Sequence, residues 1–229
     1  GLVGSEMCIR DRVIGDDKSM SSEAEIARGI LRPIQIYPMF ENALRAHRGE
    51  TISNHNERVS ELWAMFSAEA EKNPDAWISE AKTAREISSP GPRNRMISFP
   101  YPKLMNSNNA VDMSAAIILC SVEKAKSLGI DKPKWIYPWV GTEANDTYFV
   151  SERENLYSSP AIRIAGRRAM ELAGLSPEKI DLLDLYSCFP SAVQIAAREL
   201  GFPLDRPLTV TGGLTFGGGP LNNYVMHSI

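Results

Sequence analysis

The 229-residue chain is 43% hydrophobic, 23% charged and 8% aromatic, the proportions of a soluble globular protein with one large domain or two small ones. Its 25 Lys and Arg against 28 Asp and Glu leave a formal charge of −3 and no basic stripe, which argues against a nucleic-acid binder that works by neutralising phosphates. The longest apolar run, Ala115 to Cys120, is far short of the roughly 20 residues that cross a bilayer, and three cysteines at 8, 120 and 188 make neither a disulfide framework nor a metal or redox motif, as expected of the cytoplasm.

The chain begins at Gly1 instead of Met and stops at Ile229 within a segment, 223–229, that reads as the start of a helix, so both ends are expected to be cut. The first twelve residues, GLVGSEMCIRDR, resemble translated sequencing-adapter DNA and are set aside from the fold, together with Cys8. From Ser22 to about Arg48 the pattern is helical in short pieces, broken by Pro33 and Pro38. Ile52 to Asn73 is the clearest helix: Val59, Leu62, Trp63, Phe66 and Ala70 recur three and four apart, and Asn73-Pro74 ends it. The Trp63 and Phe66 stripe reads as core. Four prolines and Gly91 between Ser88 and Pro102 predict a loop, in which Arg93 and Arg95 are either a phosphate receptor or solvated charges.

Regularity then returns. Asp112-MSAAIILCS passes into a buried apolar strand, Val122 to Leu128 is a short helix closed by Gly129, and Trp135-IYPWV is a strand. Ser159-Pro160 opens a helix that runs to Gly174. Ser176-Pro177-Glu178-Lys179 turns into the strand Ile180-DLLDLY, and Ala192 to Leu200 is a helix capped by Gly201. The strand Leu208-TVT leads into Gly212-GLTFGGGP. From about residue 110 strands alternate with helices, which predicts parallel α/β layers.

Three groups of residues carry possible chemistry. The Gly212 to Pro220 loop has five glycines in nine positions between a strand and a helix, and is expected to face a ligand, although it is neither a P-loop nor a dinucleotide fingerprint. Tyr186-Ser187-Cys188-Phe189-Pro190 joins a strand to a helix. Tyr186 and Ser187 can present hydroxyls there, and Cys188 is either a nucleophile activated by the helix N-terminus or a small buried filler. Of the three histidines, His47 and His55 flank a polar turn and read as solvated, whereas His227 lies eight residues after Gly219; no metal motif is present.

Taken in order, these pieces resemble the thiolase family and its degenerate thiolase-like branch, often labelled acetyl-CoA acetyltransferase in bacteria. Asn106-SNNAVDMSAAIILCSVEKAKSLGI is similar to the family's N-A-S-G-x-N-D-G-A-A-A block and the helix after it. Ser159-PAIRIAGRRAMELAGLSPEKIDLLDLYSCF is similar to P-A-x-R-x-A-L-E-x-A-G-L followed by D-I-D-L-x-E-x-N-E-A-F. Arg198-ELGFPLDRPLTVTGGLTFGGGP is similar to R-E-L-G and V-N-V-N-G-G-A-I-A-L-G-H-P.

The resemblance implies an α/β fold of layered αβαβα type, present in part: residues 13–105 as loop-domain region of a first half, 106–140 as the end of that half's core, and 141–229 as the start of a second half. It implies thiolase-type acyl transfer to or from coenzyme A, in lipid metabolism, with acyl-CoA as substrate and no covalently bound cofactor. The alternative is a coenzyme A-binding protein without catalysis. Asn108 falls where the family's pantetheine-contacting serine sits, and Phe189, Gly217 and Gly218 belong to the same ligand-binding side. The catalytic group comprises Tyr186 at the N-E-A-F asparagine, Ser187, Gly219 at the G-H-P histidine, and His227 as a replacement for that histidine. Glycine has no side chain to activate a thiol, and Cys188 takes the alanine position of N-E-A-F, where it is not the nucleophile. A homodimer or a small partner subunit is the implied assembly.

Overall fold

The computed structural model describes residues 19–229; the segment 1–12 and Cys8 lie outside them. The chain opens with α1 (Glu23–Ala27), where Ser22 and Glu25 form a reciprocal capping box. Next comes the hairpin of α2 (Pro33–Arg48) and α3 (Ile52–Lys72), turned by Gly49 in the left-handed conformation. Contrary to the expectation of short pieces, α2 is continuous. Pro33 sits at its first position, where no N–H bond is needed. Pro38 forfeits one bond in the second turn, and the Asn42 side chain donates to the Pro38 carbonyl at 2.8 Å. Thr51 caps α3 by accepting from the Asn54 N–H at 3.2 Å.

A short helix α4 (Ala84–Ser88) and a ribbon of β1 (Met96–Ser98) and β2 (Tyr101–Pro102) interrupt the proline-rich loop. The Asn94 amide ties the loop together by donating to three carbonyls, Glu86, Ile87 and Ser89, each at 3.0 Å. The remaining helices are α5 (Val122–Ser127), α6 (Pro160–Ala173), α7 (Pro190–Leu200) and α8 (Tyr224–His227). Gly129, Gly174 and Gly201 end α5, α6 and α7 in the left-handed conformation. Helix α7 is buried nearly all round and packs against α2, α3 and α6. Its contact with α6 is close enough that a Cβ on Gly166 would stand 1.9 Å from Leu200.

The core runs from the apolar stripe of α3 (Val59, Leu62, Trp63, Phe66 and Ala70) through Ile87 and Tyr101 to Phe189, Val193 and Ala197. The Trp63 and Phe66 rings stack at 4.9 Å, as a core stripe should. The expected strands at 115–120, 135–140, 180–186 and 208–211 run without a ladder; among the described residues the only paired strands are β1 and β2. One backbone–backbone bond links two of these segments, Leu185 N–H to the Leu208 carbonyl at 2.9 Å. An apolar run specifies a strand only where a neighbour supplies donors and acceptors. Without that neighbour Ile118, Leu119 and Trp139 lie exposed, at 83%, 81% and 77%.

Candidate functional site

The Tyr186 to Phe189 segment enters α7 beneath the end of the glycine loop. Ser187 is buried, and its hydroxyl oxygen accepts from the Leu214 N–H at 3.0 Å, fastening segment to loop. Phe189 is enclosed by the rings of Tyr37, stacked at 4.5 Å, and Tyr101, at 5.4 Å. It therefore packs the segment in place and does not face a ligand. Tyr186 is the open member, 54% exposed, with its ring edge-on to Tyr224 at 5.9 Å.

The glycine loop corrects the expectation of a ligand-facing turn, because residues 211–220 are all buried. Its glycines serve contact with protein. A Cβ on Gly212 would stand 2.3 Å from that of Ala70, and one on Gly218 would stand 2.4 Å from the Met113 sulfur. The Gly217 carbonyl accepts from the Trp77 N–H at 3.0 Å, and the Trp63 indole N–H reaches the Thr215 hydroxyl at 3.2 Å. Gly219 donates its N–H to the Asn108 carbonyl at 2.9 Å, while Asn108 donates its own to the Leu214 carbonyl at 2.9 Å. Asn108 and Gly219, singled out separately in the sequence, are thus joined by a backbone bond.

Asp184 was not singled out from the sequence, yet it organises the entrance to this loop. Its Oδ2 accepts from the hydroxyls of Thr209 and Thr211 and from the N–H groups of Val210 and Thr211, all within 2.9–3.2 Å. Its Oδ1 accepts from the Tyr224 hydroxyl. Burial, and next the charge of Asp184, push the Tyr224 phenol above the usual tyrosine range. Tyr224 stays a proton donor, and it holds α8 to the loop. His227, at the end of α8, has a buried Nε2 without a partner among the described residues.

Cys188 is the filler and not the nucleophile. Burial pushes its thiol up to about 11, despite a hydrogen bond with Tyr37. A raised thiol value means that the folded chain holds this proton more tightly than the unfolded chain does. Stability is then full below the ordinary thiol range near 9 and declines as the pH rises toward 11. With Cys8 and Cys120 replaced by serine, alkylation of Cys188 near pH 8 is expected to run about a hundredfold slower than that of a free thiol. A rate at the free-thiol value would show the thiol open and ionised.

Beside this segment a cleft of about 390 Å³ is lined by Arg93, Arg95 and Lys103, by Ile34, Ile78, Ile97 and Leu104, and by Asn106, Ser107, Asn108 and Thr215. The structure thus brings the two loop arginines together with Asn108. None of the three cations has an ion-pair partner among the described residues. Asn106 donates its amide to the Pro102 carbonyl at 2.8 Å, which leaves its buried Oδ1 without a partner. Ser107 ties the cleft to the segment, its N–H donating to the Cys188 carbonyl at 3.0 Å. No group of His, Cys, Asp and Glu able to hold a metal occurs among the described residues, and no helix there is long and apolar enough to cross a membrane.

The comparisons with known proteins support the thiolase superfamily for this chain, which is helix-rich and of α/β type. The model of the thiolase C-terminal domain-like family matches residues 142–205. The chain is similar to a monomeric SCP2-thiolase-like protein type 1 from Mycobacterium smegmatis, at 34% identity and TM-score 0.79, over 92% of this chain and 47% of that one. It is also similar to acetyl-CoA acetyltransferases of two archaea. The one from Methanothermobacter thermautotrophicus is 25% identical over 87% of this chain and 53% of the relative; the one from Methanocaldococcus jannaschii is 29% identical over 62% and 35%. The Ltp2-ChsH2(DUF35) aldolase shares the fold at TM-score 0.67 and 18% identity, over 96% of this chain and 60% of that one. The chain therefore spans about half the length, or less, of the curated relatives it matches.

Proposed function

We propose that the chain is part of an acyl-CoA acyltransferase-like protein, with coenzyme A or an acyl-CoA seated in the cationic cleft. The observation that carries this reading is the cleft itself. Three cations with no ion-pair partner among the described residues line it together with Ile34, Ile78, Ile97 and Leu104 and with Asn106, Ser107 and Asn108. Phosphates suit Arg93, Arg95 and Lys103, and an extended arm of methylenes and amides suits the isoleucines and asparagines. In this reading Tyr186 and the bound pair of Asn108 and Gly219 border the acyl end, and Ser187, Gly217 and Gly218 hold the backbone that shapes it. His227 is the one imidazole available to replace the side chain absent at Gly219.

A second reading, coenzyme A binding without catalysis, is favoured by two observations: Gly219 has no side chain, and Cys188 is buried with its thiol pushed up. Calorimetry with coenzyme A tests what the two readings share. Arg93→Ala and Arg95→Ala are each expected to weaken coenzyme A binding about tenfold, more at low salt, and to leave pantetheine, which has no phosphate, unaffected. Absence of any coenzyme A binding would remove both readings. Where binding is present, release of acetyl-CoA from acetoacetyl-CoA and coenzyme A separates them, and unchanged turnover in His227→Ala would dismiss the role given to that histidine. Residence in the cytoplasm and a place in lipid metabolism complete the proposal. The assembly is a homodimer or a complex with a small partner subunit; the second is supported by the two-component name of the aldolase that shares the fold.

A further inference from the structure

Away from the cleft, where the α2–α3 hairpin meets α7, lies a buried cluster of ionisable side chains. His55, read from the sequence as solvated, is 1% exposed, whereas His47 is exposed and stacks on Tyr157. The two ring nitrogens of His55 meet two different carboxylates: Nε2 lies 2.7 Å from Glu41 Oε1 and Nδ1 lies 2.6 Å from Glu50 Oε2. Glu50 is well supplied with cations. Arg58 donates from Nε and Nη2, each at 2.9 Å, and Arg48 donates from Nε at 2.8 Å, so the Glu50 carboxyl is held far below the usual range, chiefly by Arg58. Arg45 adds a bond to the Glu50 carbonyl.

Glu41 is fully buried and has no Lys or Arg within ion-pair distance among the described residues. Its neutral donors are Gln194 Nε2, at 2.7 Å, and the Tyr101 hydroxyl, at 2.6 Å. From α7 only Gln194 and Ser191 face the cluster, both uncharged. A buried carboxylate needs a compensating cation, and His55 is the one group placed to supply it. Ionised carboxylates only accept, so a ring that donates to both from its two nitrogens carries both protons. Arg58 Nη2 stands 3.1 Å from the same Nδ1, and the Glu50 carboxylate that both share offsets that repulsion.

The cluster reaches the site through Tyr101. Ser191 Oγ lies 2.9 Å from the Tyr101 hydroxyl in the first turn of α7, and the Tyr101 ring packs on Phe189. We propose that His55, as an imidazolium between Glu41 and Glu50, is a positioning residue that holds the Tyr186 to Phe189 segment through Glu41, Tyr101 and Ser191. The part of this proposal that concerns ligand affinity rests on the coenzyme A reading. A ring with a single proton would leave two carboxylates facing one donor, so the clamp depends on both ring protons.

The test begins with the unaltered chain labelled with ¹⁵N. Near neutral pH both His55 ring nitrogens are expected at imidazolium shifts, and a neutral tautomer there would overturn the proposal without any variant having to fold. With Cys8 and Cys120 replaced by serine, His55→Gln and Glu41→Gln are each expected to raise the maleimide reaction rate of Cys188 about tenfold at fixed pH. An unchanged rate in a folded variant would overturn the positioning role. In calorimetry, coenzyme A binding by the unaltered chain is expected to depend on pH differently from that of His55→Gln, because only the former carries an imidazole at this position. Parallel profiles would count against the proposal. If coenzyme A fails to bind at any pH, the ligand reading falls, and the nitrogen and thiol measurements still decide the state and role of His55.

Discussion

Gly213→Ala is expected to lower stability by about 3 kcal/mol, combining the roughly 1–2 kcal/mol of a left-handed alanine with the 1–3 kcal/mol of overpacking. Gly213 has φ +72, and a Cβ there would stand 2.5 Å from Ser187 Oγ and 2.7 Å from Phe66 Cδ1. Neither neighbour has room to retreat: Ser187 is pinned by the Leu214 N–H, and Phe66 is stacked on Trp63. Gly129→Ala is the control, with φ +65 and open space around it, and is expected to cost only the backbone share, about 1 kcal/mol. For a chain of this size a loss of about 3 kcal/mol appears as a melting temperature lower by roughly 6–12 °C for Gly213→Ala. Equal melting temperatures for the two variants would show that the loop is not packed as described.

Asp184→Ala is expected to cost about 3 kcal/mol as well, for an electrostatic reason instead of a steric one. One carboxylate accepts from two backbone N–H groups, two threonine hydroxyls and the Tyr224 phenol. Deletion leaves the Val210 N–H without an acceptor among the described residues and frees α8 from the loop, so Tyr224 no longer braces Tyr186. Asp184→Asn keeps an acceptor oxygen and loses the charge, and about half the effect is expected of it. The check is a urea midpoint that falls while the slope stays constant, accompanied by weaker coenzyme A binding in both variants. A midpoint unchanged in Asp184→Ala would mean that water accepts from all five donors without loss.

The parts legible in the sequence are those set by neighbours along the chain. Helix α3 is readable because its apolar stripe repeats at helical spacing and Asn73-Pro74 stops it, and Gly129, Gly174 and Gly201 are readable as caps because their left-handed position follows each helix at once. What escapes depends on partners distant in sequence. His55 looks solvated because His, Asn and Glu crowd that turn, and only the fold brings Glu41 against it from the other helix of the hairpin. Asp184 is one of two aspartates on an apolar segment, and its role exists only once residues 209–211 and Tyr224 arrive. The glycine loop suggests ligand contact because glycine is used both for ligand approach and for close packing, and composition does not distinguish the two. The strands at 115–120 and 135–140 fail for the opposite reason: their pattern is correct, and the ladder it presupposes is absent among the described residues.

The approach of Gly212 to Ala70 bears on how this protein can change over generations. A Cβ at 212 would lie 2.3 Å from that of Ala70 and 2.6 Å from its Cα, so the two positions share one allotment of space. A larger residue at 70 pushes the loop off α3, and any side chain at 212 pushes α3 off the loop. Drift at either position is therefore gated by the other. The helix that looks most like plain scaffold is thereby coupled to the loop beside Tyr186 through the space that positions 70 and 212 share.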